Sequence, residues 1–141
     1  MTTYEIAQTF KVLIVDDERA IADTFVEIFA HAGYAARCAY SAETGLAEAR
    51  EWNPHAAIID VMLPGINGVG LGTALEIYCP DCQILFFSGQ QATPELLRAA
   101  RTAEMSHPVL EQPTHPEKLL AEVKTLLSGV SGMQSSGRSK T

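Results

Sequence analysis

Apolar residues in this chain fall into two rhythms. Short, nearly continuous apolar runs rich in β-branched residues occur at KVLIVD (11–16), AAIIDV (56–61) and QILFFS (83–88). Runs of that length and continuity predict strands buried on both faces. AARCAY (35–40) and PVLEQ (108–112) are weaker versions of the same signal. Between the runs the spacing becomes helical. Ile21, Phe25, Ile28 and Phe29 recur on one face, and Gly33 supplies a stop. Ser41 predicts an N-cap for AETGLAEAREW, which ends before Asn53-Pro54. Thr93-Pro94-Glu95 supplies a cap, a first-turn proline and a first-turn acid. In the last helix Pro116 opens, Leu119, Leu120, Val123, Leu126 and Leu127 form a stripe, and Gly129 closes. NGVGLGTALEIY (67–78) carries Gly70 and Gly72 inside its pattern. Each costs about 1 kcal/mol in a helix interior, so this helix is expected to start late or fray.

Five strand–helix alternations predict an α/β domain: a parallel sheet with helices on both faces. Residues 1–10 read as an N-terminal arm and 11–128 as one domain, with 129–141 as a disordered Ser/Gly-rich tail. No second domain or internal repeat is visible. The 141 residues suit a single core. Net charge is −7, with 17 acidic and 10 basic residues, which argues against nucleic acid or an anionic membrane surface as partner. No run reaches the roughly 18 apolar residues of a membrane span, and no secretory signal is visible. Three cysteines favour a reduced, cytoplasmic setting without disulfides.

In open parallel sheets, ligands bind at the carboxyl ends of the strands. The first strand ends in Asp16-Asp17-Glu18, the third in Asp60, the fourth in Ser88 and the fifth in Gln112-Pro113. Adjacent bare carboxylates repel by about 4 kcal/mol per pair at roughly 4 Å and an effective dielectric near 20. A hard dication relieves this, and Mg²⁺ accepts both carboxylate and phosphate oxygens. A carboxylate beside it can attack phosphorus and form an acyl phosphate. An acidic pair before a helix is often only an N-cap, and an acid before Pro64-Gly65 only a turn residue. The conjunction of acids on two strands with a hydroxyl on a third points instead to a site.

VLIVDDE, AAIIDVMLPGINGVGL, ILFFSG and LEQPTHPEKLLAEV at these spacings resemble the receiver domain of two-component response regulators, from about Lys11 to Leu127. The resemblance implies a flavodoxin-like, doubly wound five-stranded parallel sheet of order 2-1-3-4-5 with five helices. It implies that Asp16, Asp17, Asp60 and the backbone carbonyl of Met62 bind Mg²⁺. It makes Asp60 the phosphoacceptor, Ser88 a hydrogen-bonding partner of the phosphoryl group, and the Gln112–Pro113 bond cis. A histidine kinase or phosphotransfer protein would be the donor. A downstream protein would dock on the helix 4–strand 5–helix 5 face, around Arg98 and Arg101. The chain would be a single-domain regulator and not an enzyme beyond its own phosphorylation and dephosphorylation.

Two positions depart from the pattern. Gln112 stands where the family has Lys, and Val109 where it has a switch aromatic. Lys118 and Arg19 are the nearest candidate replacement cations, and His107 reads as a loop residue. These departures support an alternative, a pseudo-receiver that docks without phosphorylation. A third reading, a phosphatase with an aspartyl nucleophile, lacks the Asp-x-Asp on the first strand that it needs. Cys79-Pro80-Asp81-Cys82 ends a helix instead of opening one, which disfavours redox chemistry, and no further zinc ligands stand at suitable spacing. His31, His55, His107 and His115 are scattered, and Trp52 reads as a cover over apolar surface.

Overall fold

The computed structural model describes residues 9–88, 93–103, 107–111 and 115–136. Strands and helices alternate along it: β1 (Lys11–Val15), α1 (Arg19–His31), β2 (Ala35–Ala39), α2 (Ala42–Trp52), β3 (Ala56–Asp60), α3 (Gly68–Tyr78), β4 (Gln83–Ser88), α4 (Pro94–Ala103), β5 (Val109–Glu111) and α5 (Pro116–Ser136). All pairings are parallel and the strand order is 2-1-3-4-5. The doubly wound fold implied by the sequence is therefore the fold observed.

Two-sided burial explains the continuous apolar runs. Leu13, Val15, Ala57, Ile59, Ile84 and Phe86 face Ala42, Ala49, Leu71 and Leu75 of α2 and α3. Val12, Ile14, Ala56, Ile58, Leu85 and Phe87 face Ala22, Phe29, Leu119, Val123 and Leu127 of α1 and α5. β1 and β3 lie at the centre of this double core, so the residues that follow them are held by the best-packed part of the molecule.

The helix limits follow local chemistry. Gly33, with φ +101°, turns the chain after α1, a conformation that glycine adopts without penalty. Ser41 Oγ accepts from Thr44 N at 3.1 Å and caps α2, and Asn53 ends that helix in the left-handed region at φ 56°.

Two expectations are corrected. The glycine-containing helix α3 neither starts late nor loses its first turn. It begins at Gly68, and Asn67 Oδ1 accepts from Gly70 N at 2.9 Å as a cap. Its glycines answer to tertiary contacts. A Cβ at Gly72 would lie 2.6 Å from Phe86 Cζ, and one at Gly68 would lie 2.1 Å from the Asp60 carbonyl oxygen. Close packing on the sheet outweighs the propensity cost. The last helix also runs past Gly129 to Ser136, where the sequence predicted a stop and a disordered tail. Gly129 faces open space, and no proline follows to forbid another turn, so a helix anchored by Leu119, Val123 and Leu127 continues through it. Residues 1–8 of the expected arm and 137–141 of the expected tail lie outside the described residues. Among those described, no helix is long and apolar enough to cross a membrane.

Candidate functional site

The site begins where β1 stops. Asp16 N donates to Ala39 O of β2 at 3.1 Å, which extends the sheet by one bond and buries the residue to 3% exposure. Its Oδ1 then accepts from Glu18 N at 2.9 Å. Glu18, extended at φ −84° and ψ 105°, is the N-cap of α1 and makes no side-chain cap bond. The acidic pair is therefore not explained as a helix cap. Asp17 is exposed beside it.

Asp60 ends β3, the strand adjacent to β1. Its Oδ1 accepts from Met62 N at 3.0 Å, so the turn that follows fixes the carboxyl group. Val61 and Leu63 are buried and anchor that turn, Gly65 takes φ +74°, and the chain returns so that Gly68 N reaches Val61 O at 3.1 Å. Gly68 thereby rests directly on the Asp60 carbonyl, a contact closed to every other residue. Neither Gly68 nor the Asn67 cap was singled out in the sequence, although glycine directly after Asn was the available signal.

One carboxylate oxygen from each of Asp16, Asp17 and Asp60 lies within 4.8 Å of the others. Among the described residues, this is the one cluster of three or more His, Cys, Asp or Glu able to hold a metal ion. Burial, and then the like charges of Asp16 and Asp17, push Asp60 up to about 7 against the pull of the Met62 N–H. Asp16 is also raised, chiefly by burial, then by Asp17 and Glu18. Both carboxyls therefore favour their protonated forms more than free acids do. Three convergent hard oxygen donors fit a divalent cation.

The other expected residues are placed as follows. Ser88 ends β4, one step beyond the Asp60–Phe87 pairing, and is 3% exposed. Met62 is half-buried in the turn after Asp60. Gln112 and its bond to Pro113 lie outside the described residues, directly after Glu111 of β5, which pairs with Ser88. Arg19 is engaged elsewhere: its guanidinium stacks 4.1 Å from the Tyr40 ring centre, and Tyr40 in turn donates to Asp23 at 2.7 Å. Lys118 is exposed in the first turn of α5. Besides burial, the charges of Asp16 and Asp17 raise Asp60. Val109 is half-buried against the α2/α3 core. His107, in the segment before β5, makes contacts that the sequence did not reveal. It bonds Glu76 of α3, and its ring meets Phe86 edge-on at 5.9 Å.

The remaining candidates are structural. Cys79 and Cys82 are buried free thiols on a turn closed by Cys82 N to Cys79 O at 3.0 Å. Burial pushes the Cys82 thiol up to about 12, the opposite of what a nucleophilic cysteine needs. His55 Nδ1 accepts from Lys11 N at 2.9 Å and joins β1 to the entry of β3. Trp52 lies beneath Arg37 and Lys11, at 4.5 and 5.7 Å from its ring centre. His31 and His115 are exposed.

Fold and acid cluster together define a class: a doubly wound α/β module with three convergent acids at the carboxyl edge of its central strands. The family model for the response regulator receiver domain matches residues 12–124, and the chain belongs to that family. Receivers are signalling modules of two-component systems, phosphorylated on aspartate. The chain is 30% identical over 119 residues to the transcriptional regulatory protein CreB of Escherichia coli K12, covering 84% of this chain and 51% of CreB. It is 27% identical over 117 residues to response regulator MprA of Mycobacterium avium, covering 83% and 50%. It thus spans about half the length of these curated relatives. A CheY-like receiver domain structure from Methanospirillum hungatei JF-1 superimposes with a TM-score of 0.80 at 26% identity, covering 89% of this chain and 98% of that one.

Proposed function

We propose that Asp60 accepts a phosphoryl group from a histidine kinase or phosphotransfer protein, with Mg²⁺ held by Asp16, Asp17, Asp60 and the Met62 carbonyl. The observation that carries this reading is the convergence of three carboxylates at the ends of adjacent central strands, with the Asp60 carboxyl raised first by burial and then by the charges of the other two. A protonated carboxyl is no nucleophile, so Asp60 has to lose its proton before it acts. A divalent cation held by Asp16, Asp17, Asp60 and the Met62 carbonyl would supply positive charge favouring that loss and offsetting the charge of the phosphoryl group. An ionised Asp60 oxygen then forms the O–P bond while the donor's N–P bond breaks, and the departing imidazole takes up a proton. The Met62 N–H holds the other Asp60 oxygen throughout. Ser88 donates its hydroxyl to a phosphoryl oxygen, and Gln112 supplies a neutral donor where a lysine would supply charge. The product acts by protein contact, through the α4–β5–α5 face, or by passing the phosphoryl group onward.

Incubation with Mg²⁺ and phosphoramidate, followed by intact mass, tests this. A phosphoryl adduct is expected in the wild type and absent in Asp60→Asn. No adduct with phosphoramidate, acetyl phosphate or a phosphorylated kinase would favour the second reading, a docking module that works unphosphorylated. The observation on its side is Val109, an aliphatic residue packed into the core where a mobile ring would stand.

A further inference from the structure

We propose that His107 is a positioning residue, tying α3 to the entry of β5, so that this ring carries the response of the phosphoryl site in place of the residue at 109. The inference rests on the proposed role of Asp60. Four side chains or backbone surfaces form a closed circuit. The tip of the Phe86 ring of β4 meets Gly72 of α3, with its Cζ 2.6 Å from where a Cβ at Gly72 would stand. The His107 ring meets Phe86 edge-on, with ring centres 5.9 Å apart and planes at 75°. His107 Nε2 donates to Glu76 Oε2, and Glu76 stands one turn after Gly72 on α3, closing the circuit. The backbone adds a second tie, because Phe86 N donates to Pro108 O at 2.9 Å.

The circuit reaches the site through β4. Phe86 and Ser88 are two residues apart on one strand and share a face. When the Ser88 end of β4 is drawn toward an occupied Asp60, the Phe86 ring shifts beneath Gly72. His107, wedged between that ring and Glu76, then moves with both. Val109 has no polar group with which to hold α3. His107 is 16% exposed at its side chain, so it is packed against these neighbours and not free in solvent.

Hydrogen exchange of α3 (68–78) and of 107–111, with and without beryllium fluoride and Mg²⁺, tests this in His107→Ala, His107→Phe and Glu76→Gln. Loading is read separately from the fluorine resonance of the bound complex. The expected result is that loading alters both segments in the wild type. In His107→Ala the complex still forms, the change at 107–111 is lost, and its amides exchange about fivefold faster. His107→Phe, which keeps the edge contact with Phe86, and Glu76→Gln, which keeps an acceptor, should each recover part of the coupling. A His107→Ala protein that responds like wild type in both segments overturns the proposal, as does a His107→Phe protein no better than the alanine variant. A wild type that loads no beryllium fluoride overturns the phosphoacceptor reading and this inference together.

Discussion

Replacing Asp60 by asparagine should make the metal-free protein more stable, by an amount set by pH. Asp60 has an ordinary value of 3.8 and sits at about 7 in the folded protein, raised first by burial and then by Asp16 and Asp17. The folded state therefore binds this proton more tightly than the unfolded state does. Between these two values stability falls as pH rises, and above about 7 the full cost of the buried charge is present. At about 1.4 kcal/mol per pH unit the shift sets an upper bound on the order of 4 kcal/mol, which solvent screening of the partly exposed carboxyl reduces to about 2 kcal/mol. The introduced carboxamide would mimic the protonated acid. Its oxygen keeps the bond from Met62 N, and its NH₂ group donates to Asp16. Urea denaturation in EDTA is the assay. Near pH 8, Asp60→Asn should gain about 2 kcal/mol over wild type, and the gain should shrink toward zero near pH 4. Mg²⁺ should narrow the gap near pH 8, because only the wild type keeps all three carboxylates. Equal or lower stability of Asp60→Asn near pH 8 would refute the electrostatic account.

His55 provides a slope of opposite sign. Burial, and then the charge of Lys11, lower it from its ordinary 6.5, and its Nδ1 must stay neutral to accept from Lys11 N. As pH falls through that value the unfolded chain takes up a proton that the folded chain refuses, so Asp60→Asn protein should lose stability on acidification, and adding His55→Asn should flatten the slope in urea titrations. Gly72→Ala sets two effects against each other: helix propensity gains about 1 kcal/mol, but the methyl meets Phe86, and overpacking costs about 1–3 kcal/mol, so thermal unfolding should show net destabilisation. Gln112→Lys should speed phosphorylation by phosphoramidate or deepen the response to it, as read by the rate of adduct formation and by hydrogen exchange; no change in either would show that position 112 matters little.

The legible parts of this molecule were those in which one local signal had one cause. β1, β3 and β4 are buried on both faces, so their runs stood out, and the acids that end them could be located by where apolarity stops. Ser41, Gly33 and Asn53 marked helix limits because caps are local. The misreadings arose where distant residues decide. Gly72 looked like a helix defect until Phe86, from the next strand, was found against it, and Gly68 needed Asp60 before its role was visible. Arg19 was a candidate cation by sequence adjacency, but Tyr40, just past β2, takes its guanidinium. His107 read as a loop residue because its partner Glu76 is 31 positions away. α5 continued past Gly129 because propensity penalises a glycine by only about 1 kcal/mol and does not forbid the next turn.

The central claim is that Asp60 becomes an acyl phosphate in a cation-dependent reaction. Borohydride reduction of protein treated with phosphoramidate, followed by tandem mass spectrometry, reads this at single-residue resolution. Borohydride converts an aspartyl phosphate to homoserine and leaves free carboxylates intact. The account predicts homoserine at position 60 when Mg²⁺ is present, and its loss with EDTA or in Asp60→Asn. Homoserine at another acid, equal labelling with and without Mg²⁺, or none at position 60 would contradict it.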